Sequence, residues 1–284
     1  MRRTLSLLAV LPILTLVACA QPGTVGPGSG PTVTNYGPDD LVLRVEYVDG
    51  FVPVQHIVTR LPLISVYGDG RVITEGPMIE IFPSPAMPNV LVRTIEASAV
   101  NELVRLAIDA GVGSGVDYGQ PPIADAPSTR VTVLTDEGEL VSQANALGMD
   151  EHGVTDAQAQ ARRQLQGLVD KLTDLPALLG AGAGEEQSYE PTALAAVSWP
   201  WVDPGSTDIP AQPEIAWPGP ALPGEALANF GDLNCLVVSG AELPAVLEAA
   251  ASANVLTPWV SEGQRWSVAF RPLLPEESSC ADLV

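Results

Sequence analysis

A chain of 284 residues with 34 acidic against 13 basic side chains carries a formal net charge of -21, which makes nucleic acid and anionic lipid headgroups poor partners for its surface. A hydrophobic share of 46% is ordinary for a sequence that builds a core, and the length allows one large domain or two small ones. Two histidines, His56 and His152, and one lysine, Lys171, leave few groups for nucleophilic or acid–base chemistry.

The chain begins with Arg2 and Arg3 and then runs almost wholly apolar from Leu5 to Val17, broken by Ser6, Pro12 and Thr15. That stretch is short for a membrane span and has no stop-transfer flank, so it reads as an export leader over residues 1–18. It closes on Leu16-Val17-Ala18-Cys19, which resembles the bacterial lipobox. The resemblance implies cleavage before Cys19 and a lipid on its thiol. Residues 19–38 are rich in Gly, Pro, Ser and Thr, the composition of a flexible tether. With Cys19 lipidated, Cys235 and Cys280 remain as one pair in an oxidising compartment, and a disulfide between them is expected.

Along the chain, Leu41, Leu43, Val45 and Tyr47 alternate as on a half-buried strand. Gly68-Asp69-Gly70 turns a first hairpin between Leu63–Tyr67 and Arg71–Thr74, and Asp136-Glu137-Gly138 turns a second. The periodicity predicts helices over about Ser98–Ala110 and from a Thr155/Gln158 capping box to about Leu172. VQHIVTRL, around His56, reads as a strand or strand lead-in. GAGAGEEQS reads as a linker. Beyond it come strands at Thr192–Trp199 and Leu233–Val238, a helix opened by a Ser239/Glu242 capping box and a third hairpin turning at Glu262-Gly263.

Phe82-Pro-Ser-Pro-Ala-Met-Pro88 has an echo in Trp217-Pro-Gly-Pro-Ala-Leu-Pro223, each followed by a helix and a hairpin, which suggests two related modules. The expected fold class is α+β, antiparallel sheets of hairpins with helices packed on one face. The expected division is a domain over 39–178, a linker over 179–188 and a smaller, disulfide-bearing module over 189–284.

Signals for chemistry are sparse. The glycines at 111, 113 and 115 follow a helix, whereas a phosphate-binding loop lies between a strand and a helix start. Asp150, Glu151, His152 and Asp156 match no EF-hand or zinc spacing, and no metal or cofactor is expected. Nothing singles out a catalytic pair of carboxylates among so many acids. All five tryptophans fall in the second half. Trp199, Trp201 and Trp217 adjoin prolines and either form an exposed ledge for sugar rings or Pro-rich peptides, or fill the core of a module poor in Phe and Tyr.

RLPLISVYGDGRVITEG (60–76), FPSPAMP (82–88) and FRPLLPEESSC (270–280) resemble uncharacterised lipoproteins of high-GC Gram-positive bacteria. The resemblance covers most of the chain beyond the leader and implies an extracytoplasmic, membrane-anchored location without implying a reaction. The balance of these readings is toward a non-enzymatic module at the cell envelope. Its expected partners are the membrane, through Cys19, and an envelope protein, peptide or glycan. The alternative is an extracytoplasmic hydrolase working through acidic residues.

Overall fold

The computed structural model describes residues 34–203, 205 and 210–284. Cys19, the leader and most of the tether lie outside the described residues. From Val33 onward the chain is one compact unit. Its elements are β1 (Leu41–Val48), α1 (Val54–Thr59), β2 (Ile64–Tyr67), β3 (Arg71–Glu75), β4 (Val90–Thr94), α2 (Ala97–Asp109), β5 (Ser128–Thr135), β6 (Gly138–Asn145), α3 (Asp156–Thr173), α4 (Leu175–Leu179), β7 (Gln187–Ser188), β8 (Ala193–Pro200), β9 (Ile215–Ala216), β10 (Glu225–Ala226), β11 (Asn234–Ser239), α5 (Leu243–Ala251), β12 (Trp259–Ser261) and β13 (Gln264–Pro272).

They form two sheets, so the class is α+β. The first runs β6-β5-β1-β2-β3-β4-β7, antiparallel throughout. The second runs β10-β11-β8-β13-β12-β9, antiparallel except for the β12–β9 pair. Helices α2 and α3 cover one face of the first sheet, where Val100, Leu103, Leu165 and Leu168 pack on Leu43, Val45, Val66 and Val131. On the second sheet, Val246 and Ala250 of α5 pack against Leu194, Ala196 and Phe270. Strand β8 lies mid-sheet and is covered on both faces, which explains its continuous apolar run. Among the described residues, no helix is long and apolar enough to cross a membrane.

Three connections lock the sheets together. Helix α1 leaves the first sheet between β1 and β2, yet buries Val58 against Ala195 and Val197 of the second. The Pro-rich crossing between β3 and β4 does likewise: Ala86 sits in the α5 core, and backbone bonds join Ala86 N to Ala253 O at 3.1 Å and Val255 N to Ser84 O at 3.0 Å. In return, the segment after β13 reaches the outer face of the first sheet, where Leu274 packs with Leu61, Tyr67 and Ile73. Cys235 and Cys280 are joined in a disulfide, with Cα atoms 6.1 Å apart, which ties that terminal segment to β11.

Several expectations need correction. VQHIVTRL folds in part as α1, because Val58 finds an apolar wall on the other sheet and Pro53 starts the helix. The stretch 179–188 is ordered: residues 180–183 form a 3₁₀ turn that buries Ala183, and β7 pairs with β4. The final residues of the expected tether are fixed as well. Thr34 N donates to Asn101 Oδ1 at 3.2 Å and the Tyr36 hydroxyl to Leu134 O at 3.1 Å. Gly68 is needed there, since a Cβ at this position would lie 2.0 Å from Gly37 O. The Thr155/Gln158 capping box forms, whereas Ser239 caps nothing; a 3₁₀ turn precedes α5 and Pro244 sits in its first turn. The sequence echo does not extend to topology. The strand before α2 is three places from β1 in its sheet, whereas the strand before α5 is the immediate neighbour of β8.

A candidate apolar cleft

The interlocking leaves a gap. Helix α1 stands over the face of the second sheet on which Ser267 and Ala269 of β13 lie opposite Trp199 and Val197 of β8. Ser267 and Ala269 are too small to fill the space beneath a six-residue helix. The result is a cleft of about 960 Å³, lined by α1, the end of β8, the Pro-rich crossing and the approach to β12. That volume is at the large end of the range for small-molecule pockets, roughly 300–1,000 Å³.

Its wall is held from several directions. Trp201, just past β8, donates through Nε1 to Leu256 O at 3.4 Å, and its ring lies 5.6 Å from the Arg265 guanidinium, which also pairs with Glu214. Trp199 is half-buried beside it and belongs to the α1-facing core. Met78, Pro85, Val202 and Val255 continue the apolar lining. Of the lining residues, Val202 is 76% exposed, and exposed apolar residues adjoin others in sequence: Phe51 precedes Val52, Ile79 and Ile81 follow Met78, and Phe82 precedes Ser84 and Pro85 by a short step.

The polar groups of the lining come chiefly from α1. His56 and Arg60 stand one turn apart. Partial desolvation, then the neighbouring Arg60 charge, lowers the His56 pKa below its ordinary 6.5. Glu75, at the end of β3, is the only carboxylate among the described lining residues. Desolvation raises its pKa above 4.5, against the opposing pull of Arg271.

Of the three tryptophans that the sequence leaves between a ligand ledge and the core, the structure brings Trp199 and Trp201 to the cleft and places Trp217 in the core. Trp217 is 8% exposed, stacks on Phe270 and meets the edge of Trp259, with ring centroids 6.2 and 5.5 Å away. Its indole N–H is satisfied by Pro220 O at 2.6 Å. The difference comes from where the chain carries each tryptophan: Trp217 continues β9 into the α5 core, whereas Trp201 leaves the end of β8. No sequence signal marked the α1 side of the cleft, because its residues become neighbours of the tryptophans only through the crossing between sheets.

A second, polar depression of about 800 Å³ contains Asp49, Asp117 and Gln158. Asp117 accepts from Gly119 N and Gln158 Nε2, both at 2.8 Å, and these bonds lower its pKa, keeping it an anion and not a proton donor. The acidic group near His152 is divided, with Glu151 paired to Arg163 at 3.1 Å. Among the described residues, no three His, Cys, Asp or Glu side chains converge as a metal site.

These features define an α+β chain with two interlocked sheets and an apolar, tryptophan-walled cleft between their contributions. Neither a scan against protein-family profiles nor searches of curated proteins and of solved structures returned a match.

Proposed function

We propose that this chain is an exported lipoprotein, held on the extracytoplasmic face of the cell membrane through an acylated Cys19, whose folded part is a non-enzymatic binding module. The leader, the lipobox-like LVAC and the polar stretch after it support the address. Two or three acyl chains anchor a protein firmly, since each buried CH₂ contributes about 0.8 kcal/mol. The observation that carries the binding reading is the cleft, a sizeable cavity with a largely apolar wall on an otherwise acidic protein. Hydrolysis through carboxylates uses a facing pair, and the described lining supplies only Glu75.

The test is native mass spectrometry of the protein extracted from its own membranes. The mature N-terminus is expected at an acylated Cys19, and the wild-type chain is expected to carry added mass that a Trp201→Ala variant lacks. An unmodified Cys19 or a retained leader overturns the address. Equal masses for wild type and variant, after the acyl group is accounted for, overturn the binding reading.

A further inference from the structure

The described arginines divide by partner. Eight of the ten reach a carboxylate within 4.0 Å, and Arg60 and Arg162 reach none among the described residues. Arg162 is buried and directs its guanidinium at the carbonyls of Tyr118, Asn145 and Ala146, a structural use. Arg60 is different. It lies on the cleft, and its Nη1 donates to the carbonyls of Tyr47 and Asp49, each at 3.1 Å. Among the described residues, no side chain accepts from its Nε or Nη2. In a chain of net charge -21, where acids are plentiful, a cation with no carboxylate within 4.0 Å among the described residues, beside an apolar cavity, is complementary to a ligand anion.

The remainder of the cleft narrows the ligand. A small inorganic anion would meet Arg60 and gain nothing from Trp199, Trp201, Val202 or Val255, whereas a neutral hydrocarbon would leave Arg60 unused. Glu75 lies on β3, and its Coulombic neighbour is Arg271, so it does not already answer the Arg60 charge. Ile79, Ile81 and Phe82, which follow the lining residue Met78 along the chain, are exposed and add apolar surface to the Pro-rich crossing. We infer that the cleft takes a single-chain anionic amphiphile, a long-chain carboxylate whose head group pairs with Arg60 and whose hydrocarbon lies along the tryptophan wall. The inference rests on the binding-module reading and names the ligand class for that site.

The experiment uses the chain from residue 19 onward, with Cys19→Ser so that no attached lipid competes. Dodecanoate, dodecanol and dodecyltrimethylammonium are titrated below micelle formation, followed by tryptophan fluorescence and calorimetry. Dodecanoate is expected to bind saturably and about tenfold or more tighter than the other two, as a charge-assisted contact requires. Arg60→Gln should remove that preference and leave dodecanol unchanged, and Arg60→Lys should keep part of it. Unchanged dodecanol binding also shows that the variant is folded. Equal affinity for all three probes, or no effect of Arg60→Gln, overturns the anionic head group and leaves the binding module standing. Binding of an apolar peptide with none of the amphiphiles overturns the ligand class alone. Failure of every probe and peptide overturns both.

Discussion

Arg271 and Glu277 are an ion pair almost out of reach of water, with side chains 3% and 5% exposed and Nη2 to Oε1 at 2.8 Å. Desolvation lowers the Arg271 pKa and raises that of Glu277, so each charge is costly and depends on the other. Arg271→Ala would leave a buried carboxylate unanswered, with an expected loss of about 3–5 kcal/mol in urea-induced unfolding. Replacing both with apolar residues should recover only part of this. Glu277 also accepts from Leu274 N at 2.7 Å, and Arg271 donates to Arg60 O at 3.4 Å, so the double variant leaves backbone groups unpaired. His56 gives a gentler test beside the cleft. Its pKa is depressed in the folded chain, so the unfolded chain takes the proton first, and stability is lost as pH falls from about 6.5 through the depressed midpoint. Proton NMR should place the His56 midpoint below 6.5. In Arg60→Gln it should move upward but stop short of 6.5, because the desolvation, the larger cause, remains. A midpoint unmoved by the substitution would separate His56 from Arg60.

Elements differ in how much of their cause is local. β1, the hairpin turning at Gly68-Asp69-Gly70, α2 and α3 were legible, because alternation, turn residues, a helical stripe and a capping box act within a dozen residues. Helix α1 was not. Val54, Ile57, Val58 and Thr59 are β-branched, and a six-residue helix gains little from propensity, so its state is decided by Val58 meeting the second sheet. The cleft shares that origin: Trp199 and Trp201 stood out by composition, whereas His56 and Arg60 reach them only through a long-range crossing. The 3₁₀ turn at 280–283 presents another case, a short terminal element held by side chains and a covalent bond. Asp282 accepts from Ser278 N and Ser279 N at 2.8 and 2.9 Å, which lowers its pKa, and Cys280 is bonded to Cys235. Closing a loop with a sequence separation of 45 stabilises the fold by about 4 kcal/mol through chain entropy. A Cys235→Ala, Cys280→Ser chain should lose about that much in chemical unfolding. It should still hold Leu274 against the first sheet, because the Arg271–Glu277 pair and the Tyr67–Glu276 bond at 2.6 Å lie on the near side of the disulfide. Proteolysis confined to residues after about 278 would fit this order of attachment; early cleavage before Leu274 would refute it.

At the scale of the whole molecule, the question is whether two sheets with separate cores behave as one thermodynamic unit. The α2–α3 core and the α5 core are distinct clusters, an arrangement that in other chains permits independent unfolding. Here the traffic between them is reciprocal. The first sheet sends Val58 and Ala86 into the second, and the segment after the second returns Leu274 and Glu276 to the first. Loss of either sheet therefore strips buried partners from the other and exposes the Arg271–Glu277 pair. The distribution of chromophores allows a clean test. All five tryptophans lie between 199 and 266 and report on the second sheet, whereas α2 and α3, the longest helices, dominate far-ultraviolet dichroism and report on the first. Tryptophan fluorescence and far-ultraviolet dichroism should give coincident urea midpoints, and an apolar ligand in the cleft should raise both equally, since Tyr47 of β1 and Glu75 of β3 line it from the first sheet and β13 from the second. Midpoints that part, or a ligand that moves one alone, would mean that the crossings are contacts between separable halves and that the cleft belongs to only one of them.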